Sequence, residues 1–164
     1  SADARMTKTK TFFPGAPGVA DPRSHALALR LLAELWKHHR GSFPRLKAAL
    51  EHAVLSPSPE VRIGAAAACA FCAEADPYAA TELAGPLREC LSPSAPPASV
   101  SLALEAVASL CEADALDFYA ALKVVVTRPH LSTLPKHPLV ASRWVALLGG
   151  GWLDAEARPE AAAA

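Results

Sequence analysis

Apolar residues recur along this chain at intervals of three and four, the spacing of one face of a helix. Leu27, Leu31, Leu32, Leu35 and Trp36 make the first such stripe. It follows Asp21-Pro22, an N-cap residue with proline at the first helical position. The spacing predicts an end near Arg40-Gly41, with Gly suited to the position just past the helix. Ser42 is then expected to cap a second helix with Pro44 in its first turn and Leu46, Leu50 and Ala53 on its apolar face. Ser58-Pro59 repeats the signal ahead of Val61, Ala65, Ala68, Cys69 and Cys72. Asp76-Pro77 repeats it again ahead of Leu83, Leu87, Cys90 and Leu91. The run SPSAPP at 92–97 reads as a loop. Ser99 or Ser101 is expected to open a fifth helix through Leu104, Val107, Leu110 and Cys111. Asp114 is expected to cap a sixth, with Phe118, Leu122 and Val126 inside. After a loop over 127–137, Pro138 starts a seventh with Val140, Trp144, Val145 and Leu148. Gly149-Gly150-Gly151 is expected to break it, with Trp152 and Leu153 packing back.

No stretch alternates with period two, so the fold class expected is all-α. Successive pairs open near residues 22, 58, 99 and 136, a period of 36 to 41 residues. That is the size of a stacked two-helix unit, which cannot bury its apolar face alone. Residues 59–66 (PEVRIGAA) resemble the first helix of a HEAT unit. The architecture expected is a HEAT/armadillo-like α-solenoid of three to four helix pairs over residues 21–157, with a closed helical bundle as the alternative. Residues 1–20 read as a flexible linker and 158–164 as an Ala-rich tail or truncated end.

Composition narrows the function. The 164 residues carry 16 Lys+Arg against 16 Asp+Glu, and 52% are hydrophobic. Disorder over most of the length does not fit. Nor does a highly basic nucleic-acid binder. No apolar run is long and charge-free enough to span a membrane. Four Cys are too few for a disulfide scaffold. Cys69 and Cys72 form C-x-x-C, and with Cys90 and Cys111 could supply four zinc ligands. The pair sits inside a helix-forming run, so core packing is the reading adopted and neither metal nor cofactor is expected. Intact thiols suit a reducing compartment. The neutral total conceals an asymmetry: residues 1–62 hold ten Lys+Arg and five Asp+Glu, residues 63–164 six and eleven.

Lys37-His38-His39-Arg40, with Arg45 and Lys47, forms a basic corner that could meet an acidic partner or phosphates; the bland reading is a solvated turn. Lys37, Arg40, Arg45 and Lys47 are the candidate contact residues. Glu112, Asp114 and Asp117 cluster at a helix start, where carboxylates satisfy free N–H groups. No nucleophile-and-base motif occurs, and the glycine triplet lacks the flanking residues of a phosphate loop. A non-enzymatic protein is expected.

Residues 109–114 (SLCEAD) and 117–121 (DFYAA) resemble a segment of the focadhesin family and its plant counterpart, Resurrection. There a helix ends in Leu-Cys-x-Ala-(Glu/Asp) and the next opens on Val-(Val/Ile)-Asp-(Phe/Ile)-Tyr; Ala115-Leu116 departs from that pair. Trp152 to Ala157 (WLDAEA), Leu31 to Trp36 and Phe43-Pro44-Arg45-Leu46 carry further likeness. The resemblance implies a piece of a long cytoplasmic helical-repeat scaffold, with no catalytic residues to carry over. Its implied protein partners are the Ski complex and the RNA exosome. A HEAT-like adaptor in trafficking or transport, unrelated to RNA decay, is the competing expectation.

Overall fold

Four helix starts are fixed by short side chains that accept backbone N–H groups the helix itself leaves unpaired. Asp21 Oδ2 accepts from the Ser24 amide at 3.2 Å and Ser58 Oγ from the Val61 amide at 3.4 Å. Asp76 Oδ1 accepts from the Ala79 amide at 3.1 Å and Asp117 Oδ1 from the Ala120 amide at 2.8 Å. A computed structural model describes the backbone of residues 21–157 and the side chains of residues 21–151. Among these residues the chain is helical with no strand: α1 (Pro22–His38), α2 (Phe43–Ala53), α3 (Pro59–Ala75), α4 (Pro77–Ala80), α5 (Ala84–Cys90), α6 (Pro97–Glu112), α7 (Phe118–Val126) and α8 (Pro138–Ala157). The linker expected over 1–20, the tail over 158–164 and the packing of Trp152 and Leu153 lie outside the described residues.

α1, α3, α6 and α8 lie side by side in that order and form one layer. Their starts are 37, 38 and 41 residues apart. α2, the α4–α5 segment and α7 lie behind, each against the long helix before it and the one after it. The core runs between the layers as one continuous cluster, from Leu29, Trp36, Leu46 and Leu50 through Cys69, Cys72, Leu83 and Leu104 to Val125, Leu131 and Leu147.

Several expectations need correction. Asp76-Pro77 does not start one continuous helix. Pro86 has no N–H to give the Glu82 carbonyl and its ring crowds that position. The chain therefore passes through a 3₁₀ turn, Thr81–Leu83, between α4 and α5. α6 opens at Pro97 with no side-chain cap, and Ser99 is buried inside it rather than capping it. Asp114 does not cap a helix start. It closes α6 in the left-handed region at φ 54°, with the Ala115 amide donating to the Leu110 carbonyl and the Asp114 amide to the Cys111 carbonyl. Those two bonds are a Schellman ending, and Asp tolerates the conformation. Ser42 donates its hydroxyl to the His39 carbonyl and caps no amide, because Arg40–Ser42 is already a 3₁₀ turn. Gly41 lies within that turn rather than just past a helix end.

The glycine triplet does not break the last helix; α8 runs through it. Gly151 is buried, and a Cβ there would enter the Phe118 ring of α7. Packing of neighbouring helices outweighs the roughly 1 kcal/mol that glycine costs in a helix. Register also differs in α7, where Ala121 and Val125 are buried and Phe118, Leu122 and Val126 only partly so.

α1 comes close to α3 at Gly64. A Cβ there would lie 2.6 Å from Ala26 Cβ and 2.9 Å from Ala26 Cα. Gly64→Ala is therefore expected to lower stability by about 1–3 kcal/mol in urea denaturation, because backbone must move. Gly149→Ala and Gly150→Ala meet open space. Each is expected to raise stability by about 0.5–1 kcal/mol, through helix propensity alone.

Candidate functional site

The basic corner is built where α1 turns into α2. Lys37 closes α1, Arg40 lies in the 3₁₀ turn, and Arg45 and Lys47 lie in α2. Two of these four cations reach into the next helix pair. Arg40 Nη1 pairs with Asp76 Oδ2 at 2.8 Å while its guanidinium stacks over the Trp36 ring at 4.7 Å. Lys47 Nζ pairs with Glu82 Oε2 at 3.4 Å. Lys37 sits 5.9 Å from the centre of the Phe71 ring on α3. Arg45 is exposed and makes no ion pair among the described residues. Three of the four cations thus face carboxylates or a ring of the following unit, and Arg45 stays exposed.

The same spacing recurs along the array. Arg62 Nη1 donates to the Ser94 carbonyl at 2.9 Å, the Tyr78 hydroxyl to the Ala113 carbonyl at 3.1 Å and the Ser101 hydroxyl to the Leu139 carbonyl at 3.4 Å. Arg143 pairs with Glu105 at 2.9 Å. The partners in the three hydrogen bonds are 32, 35 and 38 residues apart, close to one helix-pair period. These contacts join each unit to the next.

A surface groove of about 590 Å³ runs between α3 and α6. Ala67, Ala70, Phe71 and Glu74 form one wall and Leu102, Glu105, Ser109 and Glu112 the other, with Arg30 closing the α1 side. Arg30 lies 4.1 Å over the Phe71 ring and pairs with Glu34 at 2.9 Å. Phe71 and Glu105 were not singled out in the sequence. Their only signal is a place on the outward face of a helix whose other face is core. A second cleft of about 200 Å³ is lined by Ser92, His130, Leu131, Lys136, His137 and Val140 among others.

The acidic cluster divides three ways: Glu112 faces the groove, Asp114 closes α6 and Asp117 caps α7. Cys69, Cys72 and Cys90 are buried thiols and Cys111 is half-buried. Burial pushes the Cys72 and Cys90 thiols up to about 12, with nearby Arg30 and Arg62 opposing the effect, and raises Cys69 well above the usual thiol range. Among the described residues no group of three or more His, Cys, Asp or Glu is arranged to hold a metal ion, and no helix is long and apolar enough to cross a membrane.

Asp76 has two roles, capping α4 and pairing with Arg40. Asp76→Ala is expected to cost about 1–2 kcal/mol, the worth of a cap plus a surface pair. Arg40→Ala should cost less, about 0.5–1 kcal/mol; urea denaturation of both variants checks the order. His25 and His130 give a pH dependence. Desolvation lowers both pKa values from 6.5, aided by the His52 charge for His25 and by Arg128 for His130. As pH falls below 6.5 the unfolded chain binds these protons before the folded chain does, so stability drops. Replacing both with Gln is expected to flatten the decline in the urea midpoint between pH 7 and the acid side of 6.5.

No curated protein and no solved structure matches the chain. The profile of one family, described as Focadhesin/RST1 (DUF3730), matches residues 12–164. With that match over nearly its whole length, the chain belongs to the Focadhesin/RST1 family.

Proposed function

We propose that the chain is a segment of a non-catalytic α-solenoid of HEAT/armadillo type, a scaffold that holds partner proteins in the cytoplasm. The observation that carries this reading is the serial contact of α1, α3, α6 and α8, with polar contacts repeated at one-unit spacing. Stacked units of this kind expose long continuous faces rather than one enclosed pocket. The described grooves fit that use, since both are open and lined by mixed apolar and charged side chains. The buried thiols fit a packing role. The family resemblance makes the Ski complex and the RNA exosome the partners to test first.

The test is affinity capture with the tagged chain. Recovery of Ski or exosome subunits is the expected result. Recovery of coat or transport-receptor subunits without them would replace this reading with the trafficking-adaptor one. Contact with nucleic acid through the basic corner is tested separately, by RNA binding across a salt series. Because Arg40 and Lys47 are paired with Asp76 and Glu82, changing Lys37, Arg40, Arg45 and Lys47 together to Ala is expected to leave RNA retention unchanged. A loss of salt-sensitive RNA binding in that variant would make the corner a nucleic-acid surface.

A further inference from the structure

Three serines of this chain stand directly before proline: Ser56, Ser58 and Ser92. The run Leu-Ser-Pro-Ser occurs at 55–58 and again at 91–94, in two loops that each lead into a long helix. Proline has no N–H and a fixed φ, and Ser-Pro in a loop is the local chemistry that proline-directed kinases select. The two loops differ in what surrounds the hydroxyl. Ser58 Oγ caps α3 by accepting from the Val61 amide and donates to the Glu60 carboxylate at 2.8 Å, so a phosphate there would meet like charge. Ser56 Oγ accepts from the Ser58 amide at 3.2 Å.

Ser92 faces cations instead. Arg62 Nη1 donates to the Ser94 carbonyl at 2.9 Å, which holds the guanidinium in place, and Nη2 reaches Ser92 Oγ at 3.5 Å. Ser92, His130, Lys136 and His137 line the cleft of about 200 Å³, and no Asp or Glu is among its lining residues. Residues 118–151, which supply one wall, carry Lys123, Arg128, Lys136 and Arg143 and no acidic residue. Burial and the Arg128 charge lower the His130 pKa, while the Leu91 carbonyl, one residue before Ser92, pulls the other way. α6 opens on the cleft wall at Pro97 with no side-chain cap, and a helix start favours an anion. The cleft has donors and positive charge and no carboxylate to balance them.

We propose that Ser92 is a phosphorylation site whose phosphate seats in this cleft against Arg62, Lys136 and His137. In the transfer, Ser92 Oγ bonds to the γ-phosphorus of a nucleoside triphosphate and the bond to the bridging oxygen of the diphosphate breaks. The nucleoside diphosphate leaves, and the hydroxyl proton passes to the base of the kinase. The product carries about −1.5 to −2 charge at neutral pH and three acceptor oxygens. It joins α3, the loop before α6 and the loop before α8, so one modification ties three successive helix pairs together. The inference goes beyond the scaffold reading and does not depend on which partner the scaffold holds.

The folded chain is incubated with MgATP and a proline-directed serine kinase, and the phosphate is located by peptide mass spectrometry. Ser92 is expected to carry it. Stability is then measured with Ser56→Ala and Ser58→Asn, which confine the reaction to Ser92 while Asn keeps a cap on α3. At low salt the phosphorylated chain is expected to unfold at a higher urea concentration than the unmodified one, and the difference should shrink at high salt. Lys136→Ala with His137→Ala, both exposed positions, is the control, referred to its own unmodified urea curve. It is expected to accept the phosphate and show less than half of the upward shift. The proposal is overturned by a chain that takes no phosphate on Ser92, by a urea midpoint that phosphate leaves unchanged or lowers, or by a shift that the control variant keeps in full.

Discussion

Everything in this fold depends on how near the long helices can come to one another. At Ala26 and Gly64 two helices meet with no room for a further methyl group. Around that contact the buried surface of α3 is mostly alanine, Ala65, Ala66, Ala68 and Ala73, and α6 adds Ala103, Ala106 and Ser99 to its larger Val and Leu side chains. Small side chains bring backbones close, and close backbones let many weak dispersion contacts add up over a short helix. Large apolar groups are reserved for the space between the layers, where Trp36, Leu46, Leu83 and Leu104 are wholly enclosed. The alanine-rich, aromatic-poor composition is therefore the composition of a narrow layer spacing.

Charge has a supporting part in this arrangement. Arg40, Lys47, Arg62 and Arg143 each reach from one helix pair to a partner about one unit along the chain. Each such contact at the surface is worth little, on the order of 0.2–1 kcal/mol. Their effect is on register: a carboxylate or carbonyl at the right height rewards one relative position of two packed helices over others. Arg40 and Lys47 of the basic corner take part in this register.

What could be read from sequence divides by range. The Asp21, Ser58 and Asp76 caps were legible because a cap is made with an amide three residues away. The helical class and the pair period were legible for the same reason, since proline, caps and apolar spacing are local signals. Asp117 was named only within the acidic cluster and Asp114 as the cap, because the Schellman ending of α6 places Asp114 past its last turn and leaves the α7 start to Asp117. The continuity of α8 through its glycines depends on packing such as that of Gly151 against Phe118, a contact no local signal reports. The first helix is the clearest case. Its periodicity showed the apolar positions, but which of them face the core depends on where α2 and α3 lie. Leu29, Ala33 and Trp36 are buried, while Leu27, Leu31 and Leu35 are not. The groove was illegible as well, because Phe71 and Glu105 are brought together only by the packing of α3 on α6.

The buried thiols of the α3–α5 pair have a consequence for its chemistry. Only the thiolate reacts with electrophiles and oxidants, and a thiol near 12 is ionised in roughly one molecule in 10⁵ at neutral pH. Cys72 and Cys90 are in that condition, and burial raises the Cys69 thiol well above its usual range as well. Alkylating reagents added to the folded protein can therefore label these positions only when α3 or α5 swings away from its neighbours. The rate of labelling becomes a clock for the opening of the one helix pair that holds all three, so sulfur atoms placed for packing make a motion of that unit readable.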